Sequence, residues 1–306
     1  MLAPELTRLA QLHRVRQEQL AADAVRQVRR HWGLVDAANV DATWRAIAQL
    51  VLSLVTSHQA EAARGADGYV STALRLAGET ADPAGQVATR SLAGVASDGR
   101  TLQGLLGYPS FEVGALTAGG MDGASALTIG GRHLERIVAT QVSDAARVAT
   151  GVAQVNDRKV AGYTRLTTPP SCSRCVVLAG RWYRYSRGFL RHPQCDCVMV
   201  PAAEVIEPES PKALYEVMTP EQHRAAGWSQ ADAKAIADGG DLAQVSNAKR
   251  DLRSVSIAGQ RLRATGRGGR GRPVRLTPES IYAEAERLGW SRDETIRALR
   301  VHGYIL

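Results

Sequence analysis

LERIVATQVSDAARVATGVAQVND, residues 134–157, decides how the first half of the chain is read. Leu134, Val138, Gln141, Ala145, Val148, Val152 and Val155 step by alternating four and three residues, and Asn156-Asp157 stops the run. That spacing places all seven on one face of a long helix and predicts a core stripe. Working backward, Gly114–Gly131 holds six glycines and is expected as a loop or a loosely held helix. Further back, Leu2, Leu6, Leu9, Leu12 and Val15 recur at helical spacing, and the pattern runs on through Val25 and Val28 to Gly33. Trp44, Ile47, Val51, Leu54 and Val55 mark another helix, with Asp41 as its expected N-cap and Gly65 and Gly68 ending or bending it. Shorter helices are expected over Gln86–Val95 and Arg100–Leu106. Residues 1–157 therefore read as a helical bundle or stalk.

Composition agrees with this. The 306 residues are 44% hydrophobic but only 5% aromatic, with two Phe, so a core must be built from Ala, Val and Leu. Small-residue helix packing suits that better than an aromatic-rich sandwich. The length suggests about two domains, and the composition excludes collagen-like, disulfide-scaffold and wholly disordered classes. The longest apolar run, around Ala46–Val55, is interrupted by Gln49 and falls short of the roughly 20 residues a membrane span needs. Met1–Leu12 lacks the basic start and apolar stretch of a signal peptide, so the chain is expected to begin its life in a cytosol. In that setting cysteines are expected as ligands rather than disulfides.

The character changes after Asp157. Nine of the twelve prolines lie from residue 169 onward. Val160–Thr168, Leu178–Tyr185 and Cys195–Pro201 read as strands of a small sheet. Helical signals return at Pro211–Val217, Thr219–Gly227, Ala231–Ala237 and Leu242–Leu252. Gly259–Pro273 is Arg/Gly-rich and is expected as a flexible linker. Thr277-Pro-Glu-Ser and Ser291-Arg-Asp-Glu then open the two helices of a hairpin tail. The fold class expected is α+β, mainly α. Its parts are helices over 1–157, a zinc-stapled module over 158–258, a linker over 259–273 and a helical hairpin over 274–306.

All four cysteines fall within 26 residues, as Cys172-x2-Cys175 and Cys195-x-Cys197, with His192 three residues before Cys195. Zinc takes four thiolate or imidazole donors arranged tetrahedrally, and a C-x2-C turn aims two sulfurs at one point. Five donors compete for four positions. One arrangement uses Cys172, Cys175 and His192 with Cys195 or Cys197; the other uses the four cysteines. Four protein ligands leave no open position, so the expected zinc is structural. His133-Leu134-Glu135 offers an H-x-E ahead of the C-x2-C, but Ser171 separates Pro170 from Cys172 where a zinc deaminase needs the proline adjacent. His133 and Glu135 are expected to be solvated on their helix. Arg174, Arg181, Arg184, Arg187 and Arg191 surround the cysteines, opposed by Asp196.

The net charge of +8 is concentrated in one place: Arg250 to Arg275 carries eight arginines and one acid, Asp251. Arg261, Arg263, Arg267, Arg270 and Arg272 are the candidate nucleic-acid contacts. An acid-free arginine tract binds phosphate without sequence preference, through counterion release.

Tyr163-Thr-Arg-Leu, Cys172-Ser-Arg-Cys175, Leu178-Ala-Gly180 and His192-Pro-Gln-Cys195-Asp-Cys197, followed by Val198-Met-Val-Pro201, together resemble the phage Mu F-like (MuF) head morphogenesis family, in the form found in tailed phages of actinobacteria. Ala231–Ala248 and the closing Ala298-Leu-Arg-Val-His-Gly-Tyr-Ile are similar to its members as well. The resemblance covers residues 157–306. It implies a minor capsid protein packaged inside the head at the portal vertex and present in the host cytoplasm during assembly. Its implied partners are the portal protein, capsid or scaffolding proteins, and packaged double-stranded DNA, with no membrane. No G-x-S-x-G, H-E-x-x-H or P-loop pattern is present, so no enzyme activity is expected. The alternatives are a non-specific nucleic-acid-binding protein and a zinc-dependent enzyme.

Overall fold

Pro4, whose fixed φ suits a first helical position, opens α1 (Pro4–Trp32). Next come α2 (Val40–Arg64), α3 (Ala66–Leu76), α4 (Leu102–Ala118) and α5 (Gly123–Asn156). The computed structural model describes residues 3–167, 171–188, 197–206, 210–249, 251–266 and 274–305. Over these the chain is α+β and mainly helical. It forms two compact units, Met1–Leu166 with Trp182–Glu207, and Thr167–Arg181 with Pro208–Leu306. These limits do not coincide with the boundaries at 157 and 258 read from the sequence.

In the first unit, α1, α2, α4 and α5 enclose a core that includes Val28, Trp32, Trp44, Val51, Leu106, Leu134 and Val138. Of the two expectations for the glycine-rich stretch, loop or loosely held helix, the helix holds on both sides of residues 119–122. Asp122 caps α5 by accepting the Ser125 N–H at 2.9 Å. The glycines serve close packing. A Cβ on Gly131 would stand 2.8 Å from the Trp32 ring nitrogen, and one on Gly130 would stand 2.5 Å from Val113. Trp32 Nε1 then donates to the Leu127 carbonyl at 3.1 Å, so the indole is both seated and satisfied.

The stripe read along α5 holds for only part of its length. Leu134, Val138, Gln141 and Ala145 are buried, but Val148, Val152 and Val155 are 47%, 42% and 57% exposed. In their place Ala146, Ala149, Thr150 and Ala153 face inward. A seven-residue repeat slips about 20° per heptad on a straight 3.6-residue helix. Three heptads turn the stripe by about 60°, enough to carry its end off the core.

Asp157 ends α5. Its buried carboxylate accepts the Asp82 N–H at 3.2 Å and the Lys159 N–H at 2.9 Å. The strands β1 (Gly162–Leu166), β2 (Trp182–Arg184) and β3 (Val198–Ala202) form an antiparallel sheet in the order β2-β1-β3. Pro201 is tolerated because β3 is an edge strand. Val200 of β3 packs with Leu6, Ala10 and Ala73, which joins the sheet to the helices of this unit.

In the second unit, α6 (Ser173–Val177), α7 (Pro211–Glu216), α8 (Pro220–Ala225), α9 (Gln230–Ala237) and α10 (Leu242–Asn247) precede β4 (Leu252–Ile257), β5 (Gln260–Thr265) and β6 (Arg275–Leu276). The tail follows as α11 (Pro278–Leu288) and α12 (Arg292–Val301). The capping boxes Thr219–Gln222 and Ser291–Glu294 open α8 and α12. Residues 260–265, read as linker, are a strand. Leu262 and Ala264 alternate inward and pack with Leu276, Ile281, Leu299 and Tyr304. The tail is therefore part of this unit's core, and Tyr304 donates to the Leu276 carbonyl at 2.8 Å. Residues 267–273 of the expected linker lie outside the described residues.

Candidate functional site

Cys172 precedes the first turn of α6, and its carbonyl accepts the Cys175 N–H at 2.8 Å and the Val176 N–H at 3.0 Å. This is the tight C-x2-C turn that the spacing predicts. It is anchored from behind by Val176, which packs with Tyr215, Met218, Ala226, Trp228 and Leu242. The Ser173 N–H donates to the Ala226 carbonyl at 2.8 Å and fixes the same turn. Cys175 is fully buried and Cys172 half-buried. Cys197 is also buried and directly precedes β3. Cys172 and Cys175 belong to the second unit and Cys197 to the first. His192 and Cys195 lie outside the described residues. Among the described residues no group of three or more His, Cys, Asp or Glu side chains comes together as a metal requires. The turn, with its burial and its sulfur donors, fits one half of a structural thiolate site.

The arginines divide in the same way. Arg267, Arg270 and Arg272 are outside the described residues, whereas Arg261 and Arg263 sit on β5. The β4–β5 hairpin turns on Ala258 and Gly259, both at positive φ (47° and 76°), and pairs Ser256 with Arg261 and Ser254 with Arg263. A two-residue turn of this kind matches the strand twist. Side chains two apart on a strand share a face, so Arg261 and Arg263 stand side by side and exposed while Leu262 and Ala264 are buried. These two residues thus sit on a paired strand rather than in a linker.

His133 and Glu135 correct an expectation. His133 Nδ1 lies 2.7 Å from Glu112 Oε2, and its ring meets Tyr108 edge-on. Glu135 takes a two-pronged contact from Arg29 at 2.6 and 2.8 Å. Both side chains are partly exposed and engaged in helix-to-helix contacts rather than simply solvated.

The sequence reading missed a cavity of about 430 Å³ in the first unit, lined by α1, α5 and the start of β3, including His13, Ala21, Ala146, Cys197 and Met199. His13 stacks on Tyr69 at 4.0 Å between ring centres. Burial, reinforced by Arg16, lowers its pKa to about 4, so the imidazole is neutral at pH 7. Its sequence neighbours read as a helix face, and nothing in that pattern marks a buried histidine. No helix among the described residues is long and apolar enough to cross a membrane.

A helical unit carrying a three-stranded sheet, joined in sequence to a second unit with a basic hairpin, is the architecture to be placed. A family model described as VG15 protein matches residues 4–220. The chain belongs to the VG15 protein family, a family of phage proteins. No curated protein and no solved structure matches it.

Proposed function

We propose that this chain is a structural minor capsid protein that acts in phage head morphogenesis, packaged inside the head at the portal vertex and present in the host cytoplasm during assembly. The observation that carries the reading is membership of a phage protein family over residues 4–220, a span that takes in all of the first unit but its first three residues, and the C-x2-C turn. The head-morphogenesis pattern in the cysteine region supports the finer assignment. The protein is an architectural connector and not an enzyme. Zinc, held by four of Cys172, Cys175, His192, Cys195 and Cys197, would staple the cysteine region without taking part in a reaction. Its partners are the portal protein and capsid or scaffolding proteins.

Two experiments test this. Tagged full-length chain is co-expressed with the portal protein of the same phage and purified, and mature virions are imaged for extra density at the portal vertex. Co-purification together with that density is the expected result. Absence of the chain from purified virions overturns the assignment.

Arg261 and Arg263 support a second role, contact with packaged double-stranded DNA. Affinity for a random duplex is measured across a salt series. The paired variant Arg261→Ser with Arg263→Ser is expected to lower the salt slope by about two, close to one per lost phosphate contact. An unchanged slope removes the strand from the DNA-binding surface.

A further inference from the structure

The end of the α5 stripe that turns off the core is not bare helix surface. Val148, Val152 and Val155, with Gly151 between them, floor a groove of about 920 Å³ in the first unit, walled by Tyr163 and Tyr185. The three valines recur at i, i+4 and i+7, the pattern by which one helix receives the side chains of another. Over those seven residues they span about 10.5 Å of helix axis, two turns of a partner. Exposed apolar residues are ordinary when scattered, but a contiguous row at coiled-coil spacing marks an interaction face.

Charge selects the partner. Among the described residues the groove is lined by Arg147, Arg158 and Arg187 and by one carboxylate, Asp144. Asp144 is already engaged with Arg147 at 3.1 Å, and Arg158 with Asp82 at 3.0 Å. Arg187 is exposed and carries no ion pair among the described residues. A second copy docking on this face by two-fold symmetry would set arginine against arginine, which like-charge repulsion disfavours. We infer that this groove is a docking site for an amphipathic helix of another protein, with an apolar i, i+3/i+4, i+7 seam flanked by Glu or Asp. This inference stands on the packing of α5 and does not depend on the head-assembly reading.

The test uses the full chain and two synthetic helical peptides with the same Leu/Ala seam, one flanked by Glu and one by Lys, followed by fluorescence anisotropy. The Glu peptide is expected to bind at least ten-fold more tightly than the Lys peptide. The double variant Val152→Gln with Val155→Gln is expected to lose at least ten-fold of that affinity, and Arg187→Glu several-fold. Gln is a better helix former than Val, so circular dichroism should show α5 unharmed. Equal binding of both peptides, binding by neither, or binding unchanged in the double variant overturns the proposal. So does a concentration-dependent dimer in sedimentation that the double variant abolishes, since that makes the occupant a second copy.

Discussion

Tyr69 on α3 donates its phenolic hydrogen to the main-chain carbonyl of Met199 on β3 across 2.8 Å, in the buried interior of the first unit. Burial pushes the Tyr69 pKa far above the ordinary tyrosine range, so the hydroxyl remains a neutral donor at all working pH values. The bond joins residues far apart in sequence and ties the sheet edge to the bundle. Tyr69→Phe leaves the Met199 carbonyl without this donor and keeps the ring. A loss of about 1–2 kcal/mol is expected, read as a lowered urea midpoint with an unchanged slope. A variant as stable as the parent would show that the bond contributes nothing net.

His13 gives stability a pH dependence of definite sign. Its folded pKa is lowered from 6.5 to about 4, first by burial and then by Arg16. The unfolded chain therefore takes up a proton near pH 6.5 while the folded chain does not, and stability falls as pH drops from about 6.5 toward 4. The ceiling on this effect is roughly 3 kcal/mol, lessened by the ring's partial exposure. His13→Gln is expected to flatten the urea midpoint over that window. If parent and variant decline in parallel, another group is responsible.

Two glycines of α5 should respond oppositely to alanine. Alanine favours a helix interior over glycine by about 1 kcal/mol. At Gly151 a Cβ meets nothing within 4 Å, so Gly151→Ala should raise the melting temperature. At Gly131 the Cβ would stand 2.8 Å from Trp32, and overpacking costs about 1–3 kcal/mol. Gly131→Ala should therefore lower the melting temperature despite the better propensity. The sign of the difference between the two variants is the readout.

If zinc staples the cysteine region, full chain purified without chelator should carry close to one zinc per molecule by elemental analysis. Cys175→Ser should abolish it. Strong chelation should lower the melting temperature of the full chain, since metal affinity of this kind is folding free energy. A metal-free chain whose melting is unaffected by chelator would exclude the staple.

Much of this fold can be read in the sequence wherever one physical signal dominates. The capping boxes at Thr219 and Ser291 open α8 and α12 where their spacing predicts, β1 and β2 fall within their β-rich runs, and β3 overruns its run by the one residue Ala202. The misreadings arise where two signals compete. Glycine content at 114–131 leaves loop and loosely held helix open, because the reason for Gly130 and Gly131 is to admit Trp32, a partner about a hundred residues away that no local window contains. Arginine content at 259–273 suggests a linker, yet Arg261-Leu-Arg-Ala alternates polar and apolar, the period of a half-buried strand, and that signal was available. Asp41 was expected to cap α2; instead Asn39 holds the cap position, and Asp41 forms an ion pair with Arg45. Of the candidate site, the C-x2-C turn was legible because it is local. The exposed valines of α5 were not, because seven-residue periodicity does not say how far a helix stays in register with its core.

The order of segments constrains how this protein can be made and dissected. Its sheet needs Val198–Ala202, which follows Thr167–Arg181, a segment of the other unit, along the chain. The first unit's sheet is therefore complete only once Ala202 has been made, well after the last long helix ends at Asn156. A chain cut after Glu207 keeps every segment of the first unit and one begun at Thr167 keeps every segment of the second, each carrying one segment of the other as an orphan, so end-trimming must be placed at those two points and not at the end of the last long helix.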